Sequence, residues 1–106
     1  MWIRAAYWIG TISSENVDAL TQAINEDVVP ALRRLPGVKD ALALWPRRYE
    51  HEAPAIACQL LIYFDSKADL DTMLESPERQ AFRLGAREAI ALFNGSISHV
   101  DFEVAA

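Results

Sequence analysis

Two stretches of the chain are apolar on both of their alternating faces. They cover residues 2–9, WIRAAYWI, in which only Arg4 is charged, and residues 55–64, AIACQLLIYF, in which only Gln59 interrupts the apolar run. A strand with one face in water alternates apolar and polar residues, so this pattern predicts strands that are covered on both sides. Two further strands are predicted at residues 38–45 and 96–104.

A helix is predicted after the first strand, with Ser13 or Ser14 as its N-cap. Its apolar residues recur at helical spacing: Val17, Leu20, Ile24, Val28, Ala31 or Leu32, and Leu35. Pro30 lies inside this pattern and predicts a kink near Glu26, because proline removes a backbone hydrogen bond and clashes with the preceding turn. The helix is expected to stop at Leu35-Pro36-Gly37, with Gly37 in the left-handed conformation.

The third strand is followed by a helical region over about residues 67–93, and Ser66 is placed to cap it. Ser76 and Pro77 repeat the signal of a helix start, since proline is favoured at the first helical position. The sequence therefore predicts a helix that is interrupted between Leu74 and Pro77.

The predicted order is β-α-β-β-α-β over a single domain, residues 1–106. With right-handed crossovers, this order favours an α+β, ferredoxin-like fold: a four-stranded antiparallel sheet, strand order 4-1-3-2, with both helices on one face. The face away from the helices is expected to carry Ala55, Ala57, Leu61 and Tyr63, with Trp8 or its neighbours. That face needs a cover, and a second copy of the sheet supplies one. We therefore expect a homodimer.

Composition agrees with a partner surface, because 52% of the residues are hydrophobic in a chain of only 106. The net charge is −5 and the only basic pairs are Arg33-Arg34 and Arg47-Arg48, which argues against a nucleic-acid partner. No apolar run approaches the roughly 18 residues of a membrane span, and the N-terminus does not resemble a signal peptide. A cytoplasmic location is expected, without a membrane partner.

No strong catalytic motif is present, and Cys58, His51 and His99 lack the spacing of metal ligands. We expect neither a metal nor a cofactor. Cys58 lies in the middle of a strand, which favours a buried apolar role over a reactive thiol. His51 is expected in a solvated loop.

His99 is the weak candidate for catalysis, as a general base beside Asp101. On a regular strand it lies opposite Val100, Phe102 and Val104. If these three pack under the helices, His99 faces away from the helices, near Arg4. The alternative is a histidine that makes one hydrogen bond in an interface.

The candidate ligand-binding residues are Arg4, Trp8, Gln59, Tyr63 and His99. The aromatic side chains suit an apolar ligand pocket, and core or interface packing also explains them. Arg83, Arg87 and Glu88 are expected on an exposed helix face.

Three motifs together resemble the EthD-like family, named for ethyl tert-butyl ether degradation, of the dimeric α/β-barrel superfamily. They are Leu35-Pro36-Gly37-Val38 after a helix bearing Pro30, then Tyr63-Phe64-Asp65-Ser66, then the run SPERQA at residues 76–81. The resemblance implies a ferredoxin-like protomer that pairs through its sheet. Many members carry a histidine two residues before the proline of the first helix, where this chain has Val28, so that histidine's role does not carry over.

Two functions remain open at this stage. One is a small dimeric protein of catabolic or secondary metabolism that binds an apolar or aromatic small molecule, with or without cofactor-independent catalysis. The other is an accessory or assembly module whose sheet face serves only self-association. A closed pocket with His99 or Arg4 at its wall favours the first, and a fully packed interior favours the second.

Overall fold

A four-stranded antiparallel sheet forms one layer of the molecule, in the order β2-β3-β1-β4. Its strands are β1 Trp2–Thr11, β2 Asp40–Leu44, β3 Ile56–Phe64 and β4 Asn94–Glu103. The structure is a computed structural model that describes residues 1–105, so the last residue of the predicted 1–106 domain lies outside it. The strand order and the antiparallel pairing confirm the predicted ferredoxin-like sheet.

The helical region after β1 changes type along its length. A 3-10 turn, Ser14–Asn16, leads into α1 Val17–Gln22, a π-helical segment Ala23–Val28, and α2 Val29–Arg33. Pro30 lies in the first turn of α2, where its missing N–H is tolerated. Near Glu26, where a kink was predicted, the helix is π-helical over Ala23–Val28.

Two details of this first helical region differ from the prediction. Ser13 occupies the N-cap position, as predicted, but its side chain makes no capping hydrogen bond, and Ser14 lies inside the 3-10 turn. The backbone satisfies this end instead, because the Asn16 N–H donates to the Ser13 carbonyl at 2.9 Å. Val17, predicted in the apolar stripe, is 42% exposed. The buried stripe begins one turn later, at Leu20.

Gly37 ends this region as predicted, with a φ of 82°. A Cβ at this position would collide with the backbone carbonyl of Asp69, at the start of the other helical region. Glycine therefore lets the chain turn into β2 while the two helical regions approach each other closely.

The second helical region consists of α3 Lys67–Glu75, α4 Pro77–Gly85 and α5 Arg87–Ala91. The predicted break is confirmed, because Ser76 has an extended backbone and its hydroxyl accepts a hydrogen bond from the Arg79 N–H at 3.3 Å. Ser66 caps α3 in the same way, through the Asp69 N–H at 3.1 Å. A second interruption, at Ala86, was not predicted. No helix within residues 1–105 has the length and hydropathy needed to cross a bilayer.

Both helical regions lie on one face of the sheet and bury its even-numbered positions in β1 and β3. This core comprises Ala6, Trp8, Cys58, Leu60, Ile62 and Phe64 of the sheet, with Leu20, Ile24, Val28, Leu32, Leu70 and Met73 of the helices. Cys58 is fully buried, as predicted, and burial raises the pKa of its thiol to about 12. A thiol with so high a pKa is a poor nucleophile at neutral pH.

The opposite face of the sheet, called the open face below, carries the odd-numbered residues of β1 and β3. It also carries the residues of β2 and β4 that pair with them. Its apolar residues include Ile3, Tyr7, Ile9, Leu42, Leu44, Leu61, Tyr63, Val100 and Phe102. Val100 and Phe102 are each 43% exposed. β3 is thus apolar on both faces, as its sequence predicts.

The predicted orientation of β4 is wrong. In the β1–β4 register Ala6 pairs with His99 and Arg4 with Asp101, and paired residues of antiparallel strands share a face. Since Ala6 is buried under the helices, His99 lies on the helix-covered face, and Val100 and Phe102 lie on the open face. Val104, just beyond β4, is also exposed, at 41%. The expected proximity of His99 to Arg4 nevertheless holds.

The break in the second helical region gives a stability test. Ser76→Ala removes the cap of α4 and the hydrogen bond from the Ser76 hydroxyl to the Met73 carbonyl. We expect the free energy of unfolding to fall by about 1 kcal/mol, the usual cost of losing an N-cap. Urea denaturation measures it. Thr72→Ala, which removes an exposed hydroxyl from α3, is the control and should change stability by less than roughly 0.5 kcal/mol. Equal losses in the two variants would contradict the capping role.

Candidate functional site

A cavity of about 720 Å³, partly open to solvent, lies between the helix-covered face of the sheet and the helices. β1, β3 and β4 form its floor, and α4 and α5 supply most of its walls. Its lining comprises Arg4, Ala6, Trp8, Val28, Leu32, Leu35, Leu60, Ile62, Met73, Arg79, Gln80, Phe82, Arg83, Leu84, Ala86, Arg87, Ile90, Ile97 and His99.

The inner part of the cavity is apolar and held rigidly. Trp8 is 3% exposed, and its ring lies 5.3 Å from that of Phe93, centroid to centroid, in a tilted arrangement that aromatic pairs favour. Ile97, opposite Trp8 in the β1–β4 pairing, continues the apolar floor. This part can accept the hydrophobic body of a ligand.

Arg4 brings a charge into the floor of the cavity together with its own counterion. Its guanidinium donates to the Asp101 carboxylate at 2.9 Å, and the two side chains are 14% and 32% exposed. Because the residues pair directly across β1 and β4, the sheet register places this ion pair. Arg4 therefore has a carboxylate partner without any ligand.

The helix wall carries a row of three arginines spaced four residues apart, Arg79, Arg83 and Arg87, called the arginine row below. Within residues 1–105, no carboxylate lies within 4.0 Å of their guanidinium groups. Arg79 is half-buried and donates to the Leu74 carbonyl at 3.3 Å, which fixes one arm of its guanidinium. Burial, and then the charges of Arg4 and Arg83, lower the pKa of Arg79.

His99 stands beside these charges. Burial lowers the pKa of its imidazole below 6.5, and the positive charges of Arg4 and Arg79 lower the pKa further, against the smaller opposing effect of Asp101. The neutral imidazole is therefore the main form at pH 7. A neutral imidazole can accept a proton or donate a hydrogen bond to a bound molecule.

Three of the five predicted ligand-binding residues meet in this cavity: Arg4, Trp8 and His99. The other two, Gln59 and Tyr63, do not. They occupy odd-numbered positions of β3 on the open face, because Gln59 pairs with Tyr7 and Tyr63 with Ile3. His51, expected in a solvated loop, is exposed with a φ of 54°.

The sequence interpretation missed the arginine row. Arg83 and Arg87 are exposed, as expected for a solvated helix face, but they also border the cavity, and Arg79 was not singled out. The available signal was the four-residue spacing, since a solvated helix face usually alternates the sign of its charges. No group of three or more potential metal-ligating His, Cys, Asp or Glu side chains occurs in the described part of the chain.

Comparisons with known proteins give structural matches alone; no protein-family model and no curated protein matches the chain. An EthD (ethyl tert-butyl ether degradation) family protein from Bacillus halodurans superposes with a TM-score of 0.74 at 15% identity, over 99% of this chain and 100% of that one. A dimeric ferredoxin-like protein of unknown function from Jannaschia gives 0.62 at 22% identity, over 98% and 100%. A heme-degrader from Mycobacterium tuberculosis, with two hemes bound in its active site, gives 0.69 at 15% identity, over 100% and 97%.

These likenesses define the class of fold. The chain has a ferredoxin-like α+β fold of the kind found in dimeric proteins. The resemblance to the EthD-like family is confirmed at the level of that fold, along nearly the full length of both chains. At 15–22% identity the likeness does not extend to activity.

The arginine row predicts an unusual stability effect. Arg83 has Arg79 four residues before it and Arg87 four residues after it, with Gln80 and Ala86 at the three-residue positions. Like charges at this spacing repel, and arginine and glutamine have similar helix propensities. We expect Arg83→Gln to raise the free energy of unfolding by about 0.5 kcal/mol.

Urea denaturation at low salt and at 1 M NaCl measures this effect. The increase in the free energy of unfolding should be smaller at high salt, where the screening length is only about 3 Å. Arg34→Gln is the control, because Arg34 is exposed and lies away from the arginine row. A loss of stability in Arg83→Gln at low salt would contradict repulsion within the row.

Proposed function

We propose that this chain forms a homodimer through its open faces and binds an apolar or aromatic small molecule in the cavity of each protomer. The observation that carries the proposal is a cavity of about 720 Å³ with an apolar interior and a few convergent polar groups at its wall. Small-molecule sites usually measure about 300–1,000 Å³ and have this composition. The cytoplasmic location favoured by the sequence is part of the proposal.

The structural neighbours support this kind of role. The Mycobacterium tuberculosis protein is a heme-degrader with heme in its active site, and the Bacillus halodurans protein is of a family named for the degradation of an ether. Both names concern the breakdown of an organic small molecule. By analogy of fold, we place this chain in catabolic or secondary metabolism.

His99 supplies the proton-transfer chemistry that we propose for the site. It lines the cavity, and its lowered pKa keeps the imidazole neutral and able to accept a proton. The Arg4–Asp101 pair lies next to it in the register, since Arg4 and Ala6 are paired with Asp101 and His99 respectively. Proton transfer by His99 would proceed without a cofactor.

The alternative, an assembly module with no ligand, has less support. It calls for a packed interior between sheet and helices, whereas the cavity here is large and has Arg4 and His99 at its wall. Self-association does not require a cavity on the other side of the sheet. Both surfaces therefore belong to one proposal: pairing on the open face and binding under the helices.

Pairing through the open face is supported by the exposure of its apolar side chains. Ile9, Leu44, Val100 and Phe102 are 39–43% exposed, and Leu61 and Tyr63 lie between them on the inner strand β3. Contiguous apolar surface of this kind marks an interaction site. The Jannaschia neighbour with the same fold is dimeric.

The dimer is tested by Leu61→Asp, which places a charge at the centre of the open face. A buried, unpaired carboxylate is costly, so we expect the variant to sediment as a monomer at micromolar concentration while the wild type sediments as a dimer. Val17→Asp is the control, because it places the same charge on an exposed apolar residue outside the sheet. A wild-type monomer, or loss of the dimer in Val17→Asp alone, would refute the proposed interface.

Ligand binding is tested with 2-naphthylmethanol, a neutral aromatic probe small enough for the cavity, followed by NMR. We expect saturable shifts of the Trp8 indole N–H and of the Ile97 and His99 amides, and no shifts at Gln59 or Tyr63 on the opposite face. Saturable shifts on the open face in place of these would contradict binding in the cavity.

A further inference from the structure

We propose that the ligand of this cavity carries an acidic oxygen group, a carboxylate or a phosphate, which the arginine row binds through Arg79 and Arg83. The inference rests on the proposed function, since it specifies the chemical class of the molecule bound there. It concerns which end of the ligand the protein recognises by charge.

The charge of the cavity is opposite to that of the whole chain. The chain has a net charge of −5, yet the cavity is lined by four arginines and His99, and no Asp or Glu is among its lining residues. Asp101, beside the cavity, already pairs with Arg4. Three guanidinium groups therefore face one partly enclosed space without a carboxylate from within residues 1–105.

This arrangement is unfavourable without a counterion. Arg79 and Arg83 repel each other across one turn of α4, and Arg79 also lies in the first turn of α4, the positive end of the helix dipole. An anion in the cavity relieves both effects at once. Sites that conflict with local stability rules in this way are expected where a ligand binds.

The geometry of Arg79 suits an oxyanion. Its guanidinium is half-buried and anchored by one hydrogen bond to the Leu74 carbonyl, which leaves further N–H donors of the planar group free. A guanidinium held in this way matches the paired oxygens of a carboxylate or phosphate. Arg83, one turn further along α4, reaches the same space from the rim.

The sheet side and the helix side of the cavity would contact different ends of the proposed ligand. The sheet supplies the apolar side chains of Trp8 and Ile97, together with His99 and an Arg4 already paired with Asp101, while the helix wall supplies the arginine row. A molecule with an apolar or aromatic body and one acidic end satisfies both surfaces. A neutral apolar molecule leaves the arginines without a counterion, and a small inorganic anion leaves the apolar floor uncovered.

Isothermal titration calorimetry with three probes of matched body tests the inference: 2-naphthylmethanol, naphthalene-2-carboxylate and 2-naphthyl phosphate. We expect at least one of the two acids to bind roughly tenfold more tightly than the alcohol, as a charge-assisted hydrogen bond implies. The acid that binds more tightly identifies the group. In Arg79→Gln the acid should bind no more tightly than the alcohol, while the affinity for the alcohol stays within about twofold of the wild-type value.

Arg34→Gln is the control, because it removes the same charge from an exposed position outside the cavity and should preserve the advantage of the acid. Arg83→Gln provides a second variant if Arg79→Gln does not fold, since Arg83 is exposed. Equal affinities for acids and alcohol in the wild type would overturn this inference and leave the proposed function standing. If none of the three probes binds, the proposed function itself fails.

Discussion

The pairing of β1 with β4 is the constraint on which the rest of this structure depends. β1 lies between β3 and β4, and its even-numbered side chains are committed to the helix side by the burial of Ala6 and Trp8. The register of the β1–β4 pairing then determines which β4 side chains face the helices, because side chains alternate along a strand with a period of two. A shift of one residue would bring Val100 under the helices and turn His99 to the opposite face. The position of the candidate site is therefore a consequence of strand register.

The sequence predicted the elements of this fold far better than the faces of its edge strand. Ser76 and Pro77 predict the helix break correctly because helix capping depends on residues that are adjacent in the sequence. The face of β4 is decided by its long-range pairing with β1. Val100 and Phe102 were expected to pack under the helices because they are apolar. That assumption fails in a sheet whose open face is itself apolar and whose covered face contains a partly polar cavity.

The candidate site was predictable only in part, for a related reason. Arg4 stands out in the sequence as the one charge in an apolar strand, and His99 as a histidine two residues before Asp101 on the same face of a strand. Arg79 lies between Glu78 and Gln80, and Arg83 between Phe82 and Leu84, in an amphipathic helix where an exposed basic side chain is expected. What distinguishes them is the absence of carboxylate partners within residues 1–105 combined with a position facing a cavity, and only the fold reveals the second condition.

The open face and the cavity lie on opposite sides of the same strands, so events on one side bear on the other. β4 is an edge strand that pairs within the protomer only with β1, and its residues alternate between the two surfaces: His99 and Asp101 toward the cavity, Val100 and Phe102 toward the open face. An edge strand, paired on one side only and with one uncovered apolar face, has fewer packed neighbours than the inner strands and opens more readily. Covering Val100 and Phe102 restricts that motion, and with it the motion of the intervening His99 and Asp101. In the proposed dimer, self-association on the open face would hold β4, and with it the His99 imidazole and the Arg4–Asp101 ion pair, in place for the proposed ligand.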